Sequence, residues 1–310
     1  MCVFPGQGTQ FVGMGKALCD ADADVRALYD AANEALGYDL KQICFAGPEE
    51  TLRLTQHTQP AILVHSMAVW TQLRRQGLDP ALLAGHSLGE YSALVAAGVL
   101  AFADAVRLVH QRGAFMQQAV PPGKGSMAAM TRTACEEVEA LCIEVGADKG
   151  VLQPANYNSP EQTVIAGHAP LVQEAVAVAK ARRLGRPVLL NVSAPFHCAL
   201  LQPAAAQLDT VLAETLYGEF AWPVLSNVTA APHPSSQEVR RLLVEQVTAP
   251  VQWVTSMQYA VAQGCDTLLE VGPGNVLSGL MRRIDRGVAV WSVDEVLRGL
   301  ERVRAGPSGS

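Results

Sequence analysis

The stretch Ala84-Gly85-His86-Ser87-Leu88-Gly89-Glu90-Tyr91 holds one serine between two glycines. It has the form G-x-S-x-G, with an apolar run before it and a helical pattern after it. In that context the serine sits on a tight strand-to-helix turn, its hydroxyl exposed at the C-terminal edge of a sheet. The free N–H groups and positive dipole end of the following helix face the same spot, so the Leu88 N–H can help hold an oxyanion. A small-residue turn that merely contains serine is the plainer reading. A nucleophilic serine needs a base. His86 is adjacent, and its side chain leaves such a turn in another direction. His197 follows a strand pattern at 187–192 and the turn Ser193-Ala194-Pro195-Phe196, and opens the next helical pattern. A helix N-terminus disfavours added positive charge, which would keep this imidazole ready to accept a proton. A structural histidine is the alternative. His57, His65, His110, His168 and His233 have no comparable placement, and Asp209, Asp266 and Asp294 have no context that marks a third member of a triad.

A second signal comes from the helical pattern at 103–119. Its apolar face runs Ala105, Leu108, Val109, Phe115, Met116 and Ala119, and Arg112 completes the spacing between Val109 and Met116. That puts a permanently charged side chain in the inward stripe. Its charge is met by an internal Asp or Glu, by reaching out to solvent, or by a ligand carboxylate held in a bidentate fork. A serine nucleophile beside a carboxylate clamp selects an acyl group that ends in a free carboxylate.

The elements that must position these residues alternate short apolar strands with longer helical patterns, as βαβ units around a mainly parallel sheet do. The predicted strands are Cys2–Phe4, Leu82–Ala84, Val224–Asn227, Thr267–Val271 and Val288–Ser292. Helical patterns cover 10–36, 59–76, 88–97, 103–119, 197–216, 236–246, 253–263 and 275–284. One segment differs. Strand Ser126–Met130, helix Ala134–Val145, strands Leu152–Asn156 and Thr163–Ala166, helix Pro170–Leu184 and strand Pro187–Val192 follow the ferredoxin-like order β-α-β-β-α-β. The run Pro121-Pro122-Gly123-Lys124-Gly125 marks the joint before it. The expected division is a large α/β unit from 1–123 and 193–305, a small α+β unit at 124–192, and a flexible tail at 306–310.

The bulk properties bound the function. The chain has 310 residues, 49% hydrophobic and 17% charged, enough to bury a sizeable core. A net charge of −6 argues against nucleic acid as a partner. The most apolar stretch, 92–103, is too short to cross a bilayer, and no secretion signal opens the chain. The seven cysteines show no C-x-x-C pair and no zinc spacing, so free thiols in a reducing cytoplasm and no metal are expected. Gly6-Gln7-Gly8 lacks the third glycine of a dinucleotide loop, because Phe11 stands there, and Gly15-Lys16 is followed by Ala17, which excludes a P-loop.

Taken together, the residues resemble the malonyl-CoA:acyl carrier protein transacylase family and the related acyltransferase domains of polyketide synthases. The matching stretches are Phe4-Pro5-Gly6-Gln7-Gly8-Thr9-Gln10, Gly85 to Glu90, Gln111-Arg112-Gly113, Asn156 to Pro160, Ala194-Pro195-Phe196-His197, Glu245-Gln246, Pro250 to Trp253 and Glu270 to Gly274, in the family's order. The resemblance implies an α/β-hydrolase-like core with a parallel sheet and an inserted ferredoxin-like subdomain. It implies a ping-pong transfer of malonyl from malonyl-CoA to the phosphopantetheine thiol of acyl carrier protein, with Ser87 as nucleophile and His197 as base. Further implied roles are an oxyanion hole at the N–H groups of Gln10 and Leu88, and Arg112 on the malonyl carboxylate. Gln246 would lie beside the histidine, whose other nitrogen is held by a main-chain carbonyl. Asn156, Phe196 and Met116 complete the expected substrate-binding set. In the related domains phenylalanine beside the histidine accompanies malonyl and serine accompanies methylmalonyl, so Phe196, with Leu88, implies malonyl. No cofactor is expected, nor any nucleic-acid or membrane partner, and the expected state is a cytoplasmic monomer. Docking an acidic carrier protein on an acidic chain calls for a local basic patch, with Lys124, Arg182, Arg183 and Arg186 or Arg282, Arg283 and Arg286 as candidates. Alternatives are a serine hydrolase using the same Ser–His pair, a trans-acting polyketide acyltransferase with another extender unit, and a non-catalytic carrier-binding module.

Overall fold

The computed structural model describes residues 1–192, 194–293 and 295. Ser193, Asp294 and the expected tail at 306–310 lie outside the described residues. The chain begins with β1 (Cys2–Phe4), α1 (Lys16–Ala21), α2 (Ala23–Leu36), α3 (Leu40–Ala46), α4 (Glu49–Leu52), α5 (Thr55–Arg75), β2 (Leu83–Gly85), α6 (Leu88–Ala96) and α7 (Phe102–Gln118). The middle is β3 (Gly125–Thr131), α8 (Cys135–Gly146), β4 (Leu152–Ser159), β5 (Gln162–His168), α9 (Ala169–Arg182) and β6 (Arg186–Leu189). A 3-10 turn at Ala199–Leu201 then leads to α10 (Gln202–Leu212), β7 (Val224–Leu225), α11 (Ser236–Gln246), α12 (Trp253–Ala262), β8 (Thr267–Glu270), α13 (Val276–Ile284) and β9 (Ala289–Trp291).

Two separate sheets result. The first is parallel, in the order β7-β2-β1-β8-β9. Phe4, Leu83 and Leu88 on one side of it pack with α5 and α7, and Val3, Ala84 and Leu268 on the other pack with Trp253, Met257 and Met281. The second is antiparallel, in the order β4-β5-β3-β6, and α8 and α9 cover one face through Val138, Leu141, Val172 and Val176. The mixed α/β class with a parallel sheet and an added ferredoxin-like α+β layer is therefore as the sequence predicts. No helix among the described residues is long and apolar enough to cross a membrane.

Registers set the site. Phe4 pairs with Gly85, so β1 and β2 end side by side and their loops, Pro5 onward and His86-Ser87, emerge together at the C-terminal edge, where parallel sheets bind ligands. The two sheets are joined by backbone. Asn156 and Val251 form a parallel bridge, with Tyr157 N–H donating to the Val251 carbonyl and Val251 N–H to that of Ala155, each at 2.9 Å. The Gln252 N–H, one residue on, donates to the Asn227 carbonyl at 2.9 Å.

Several boundaries differ from the pattern. The predicted helix 10–36 is a loop to Gly15 and then two helices. Asp22 breaks them, and its side chain caps α2 by accepting from the N–H of Asp24 and Val25. Helix α5 starts at Thr55, with Pro60 inside it. The carbonyl that Pro60 cannot serve, that of Gln56, accepts from His110 Nδ1 at 2.9 Å, so a tertiary contact pays for the missing helical bond. The helix predicted from 197 begins only after His197, which takes φ 57 in the preceding turn.

Candidate active site

Ser87 sits at the N-terminus of α6 with φ 53 and ψ −106, a conformation an L residue adopts only when its surroundings force it. The flanking glycines supply the space. A methyl group on Gly85 would overlap the backbone of Gly89, and one on Gly89 would overlap the carbonyl of Phe4. Asn227 ties the turn down: its Oδ1 accepts the Ser87 N–H at 2.6 Å and its Nδ2 donates to the Gly85 carbonyl at 2.6 Å. The following Leu88 N–H and the Gln10 N–H have no acceptor among the described residues.

The Ser87 hydroxyl lies 2.7 Å from His197 Nε2. His197 Nδ1 lies 2.8 Å from the Gln246 carbonyl, an oxygen that can only accept. The Nδ1 therefore carries the proton, and Nε2 is left to take one from the serine. Burial first, and then the Arg112 charge, lower the His197 pKa to about 3. Its neutrality thus comes from a dry, cationic surrounding; the helix end named by the sequence pattern lies further along the chain.

Arg112 is 1% exposed. Its Nη2 donates to Ser87 Oγ at 3.1 Å and to Gln246 Oε1 at 2.8 Å, and its Nη1 donates to Gln59 Oε1 at 2.9 Å. The Tyr91 ring lies 5.3 Å from the guanidinium carbon. Every one of these partners is neutral, and no carboxylate among the described residues is within ion-pair distance. Of the three ways to meet the charge, an internal ion pair and exposure to solvent are both absent here. A buried cation with an incomplete shell is an anion receptor.

A cavity of about 300 Å³ opens onto the serine, at the low end of small-molecule sites, and His86, Ser87, Asn156, Asn158, His197 and Leu280 line it. Asn156 therefore reaches it. Gln246 is fully buried behind the hydroxyl. Met116 is buried and accepts a contact from Gln59 Nε2 at 3.8 Å, so it supports the arginine's neighbour and does not form the wall. The Leu88 side chain is buried in the main core, which leaves only its N–H facing the site. Phe196 is half-buried and packs between the main core and the apolar cluster under the small sheet, adjacent to His197. Gln10 turns its Oε1 back to the Gly8 N–H at 2.8 Å.

Three participants escaped the sequence reading. Gln59 and Glu90 are polar residues inside otherwise apolar runs, the same signal that flagged Arg112. Asn227, just past β7, has no local signature. Glu90 is wholly buried: its Oε2 accepts Gln246 Nε2 at 2.7 Å and the Asn227 N–H at 3.0 Å, and its Oε1 lies 2.8 Å from His233 Nε2. No group of three or more potential metal ligands occurs among the described residues.

A hydroxyl with a neutral base, the free N–H of the next residue at a helix N-terminus and a cation in contact can form and hold an acyl ester, whereas Gln10 is not among the residues that line the serine's cavity. Known proteins resemble the chain over most of its length. The model of the acyl transferase domain matches residues 1–297. Malonyl CoA-acyl carrier protein transacylase of Escherichia coli strain K12 is 47% identical over 283 residues, 91% of each chain. The protein of the same name from Bacillus subtilis strain 168 is 42% identical over 293 residues, 94% of this chain and 92% of its own. Among solved structures, the malonyl CoA-acyl carrier protein transacylase of Coxiella burnetii superposes with a TM-score of 0.93 at 40% identity, covering 97% of this chain and 96% of that one. A malonyl-transacylase in complex with its type II polyketide-synthase acyl-carrier protein gives 0.93 at 42% identity, over 97% and 98%. From sequence and fold alike, the chain belongs to the acyltransferase family.

Proposed function

We propose that the protein moves a malonyl group from malonyl-CoA to the phosphopantetheine thiol of an acyl carrier protein, in fatty-acid or polyketide biosynthesis, through an ester on Ser87. The carrying observation is the contact of one hydroxyl with both a base and an unpaired buried cation: Ser87 Oγ is 2.7 Å from His197 Nε2 and 3.1 Å from Arg112 Nη2. The hydroxyl proton passes to Nε2 as Oγ attacks the thioester carbon. The N–H groups of Leu88 and Gln10 receive the oxyanion, and the C–S bond breaks as Nε2 returns the proton to the departing CoA sulfur. The carrier thiol then repeats the steps in reverse. Arg112 takes the malonyl carboxylate, and Gln246 holds both the arginine and, through its carbonyl, the histidine. With Leu88 turned into the core, Phe196 sets the limit on branching and favours malonyl over methylmalonyl.

On this reading residues 1–123 and 193–305 form the catalytic unit and 124–192 the smaller one; among the described residues, which leave out 193, 294 and 296–305, the two separate sheets and their separate cores support that division. The chemistry needs no cofactor and belongs in the cytoplasm, with the chain acting as a monomer. For carrier docking, Arg182 is less suited than expected because it pairs with Glu144. Arg186 instead joins Arg132, Arg282, Arg283 and Arg286 around a cleft of about 590 Å³, and this cationic cleft is the proposed carrier contact.

The test is intact mass after mixing with malonyl-CoA. A malonyl adduct that Ser87→Ala abolishes is the expected result. Free malonate released without any adduct would mean a hydrolase and would overturn the reading.

A further inference from the structure

The buried arginine is the costliest group in the site, and its balance lies one residue away. Gln246 Nε2 has two hydrogens, and both are engaged: one on the Ser87 carbonyl at 3.0 Å, one on Glu90 Oε2 at 2.7 Å. That orientation leaves Gln246 Oε1 for Arg112 Nη2. Glu90 is fully buried and its two oxygens meet three donors, the Asn227 N–H, Gln246 Nε2 and, with the Nε2–H tautomer, His233. That tautomer leaves His233 Nδ1 as a buried acceptor without a partner, which costs less than an orphaned N–H. The arrangement fits a carboxylate, which accepts at every position.

We infer that Glu90 is the counter-charge of Arg112, acting across the Gln246 amide, and a positioning residue that holds the guanidinium in place while leaving its Nε and second Nη1 hydrogen, which have no partner among the described residues, for the acyl carboxylate. A direct ion pair would fill the fork of Arg112 and close it to substrate. With one neutral amide between them, the two buried charges offset each other through a short, dry path without touching. The acceptor-only carboxylate also fixes the Gln246 amide, because a flipped amide would point its NH2 at the guanidinium and its oxygen at the carboxylate. Both the place and the availability of Arg112 thus depend on a residue that touches no substrate.

This inference rests on the proposed role of Arg112 toward malonyl, and two readouts separate the failure of one from the failure of the other. The test is a double-mutant cycle of Glu90→Gln and Arg112→Gln, read as thermal midpoints of the unacylated protein. Glu90→Gln keeps size: the fixed Asn227 N–H holds the new amide oxygen in place, and His233 can change tautomer to accept from the new NH2, which orphans a buried Nδ1–H equally in both backgrounds and so cancels in the cycle. Its expected effect is a fall on the order of 5 °C, from leaving a buried cation less balanced. In the Arg112→Gln background the same change should cost clearly less, because only the part that balances the cation disappears there. If Glu90→Gln alone does not fold, the double variant should. An equal fall in both backgrounds, or failure of both the single and the double variant to fold, would overturn the inference, whatever the substrate. The second readout is acylation. Malonyl on Ser87 brings an anion to Arg112 and should raise the midpoint of Glu90→Gln by several degrees more than that of the parent, whereas acetyl should raise both alike. A malonyl effect equal in the two proteins while the cycle shows coupling would refute the contact between Arg112 and malonyl and leave the Glu90–Arg112 pairing standing.

Discussion

The state of His197 gives a quantitative handle on the proposed chemistry. In the folded protein its pKa is pushed down to about 3, by burial first and by the Arg112 charge second. The free enzyme therefore carries a competent base far into the acid range. At about pH 5 an imidazole with the ordinary pKa near 6.5 is about 97% protonated, and a rate that needs the neutral form falls about 30-fold from its plateau. At a pKa of about 3 the protonated share at that pH is about 1%, and the rate does not change. The assay is kcat/KM for malonyl-CoA from about pH 8 to about pH 4.5, because this parameter reports the free enzyme and contains only the acylation half of the cycle. A flat profile to about pH 5 is expected. Arg112→Gln removes the second cause and leaves the first, so its own acid limb should begin at higher pH and still lie below 6.5. The same shift affects stability. The unfolded imidazole takes up a proton near 6.5 and the folded one does not, so stability is intact above that pH and is lost as pH falls toward 3. Two units below 6.5 the loss from this one group is about 2.7 kcal/mol. His197→Gln should therefore resist acid unfolding better than the parent. A tenfold loss of kcat/KM for each unit below 6.5 would refute the argument, since it would mean a hydrated histidine.

Other substitutions probe the remaining parts. Arg112→Gln should lower malonyl acylation about 100-fold relative to acetyl, the worth of a charge-assisted fork; an equal fall for both acyl groups in single-turnover assays would remove its role. Asn227→Ala leaves the Ser87 N–H and the Gly85 carbonyl without their partner and should cost about 2–4 kcal/mol by denaturant melting, with a slower acylation rate. An unchanged midpoint would mean that water replaces the asparagine at no cost. Reversing charge at Arg282 and Arg283 together should raise KM for the carrier protein several-fold and leave acylation by malonyl-CoA untouched, as initial-rate kinetics would show.

The sequence made one half of this site visible and hid the other for physical reasons. Ser87 and Arg112 announce themselves because each violates its surroundings, a polar residue in a small apolar turn and a charge on an apolar stripe. His197 stood out by position, though the helix expected to start there begins later, because the residue takes the left-handed turn that aims its ring at the serine. Helices α3 and α4 leave no periodic pattern in the sequence because they are short and packed mainly through Leu40, Cys44 and Leu52. The helical pattern begins α5 at 59, later than Thr55, because Pro60 has the mark of a first helical turn, and only the fold brings His110 to the carbonyl it leaves open. Asn227 is the hardest case: its work is to bind residues 85 and 87 from a distance of more than 100 positions, and nothing local records that.

The backbone bridge between the two sheets reaches further than its two hydrogen bonds suggest. From the small sheet the path runs through Val251 and Gln252 to Asn227, and from Asn227 Oδ1 to the Ser87 amide. The cavity wall bearing Asn156 and the nucleophile opposite it are thus set on one continuous frame, like the fixed and sliding jaws of a calliper locked at one reading. The gap between them is set by main chain and by one side chain, that of Asn227. Changes at the other side chains can recolour its walls while its span stays the same, and the amides of Ser87, Tyr157, Val251 and Gln252 should exchange their hydrogens as one unit.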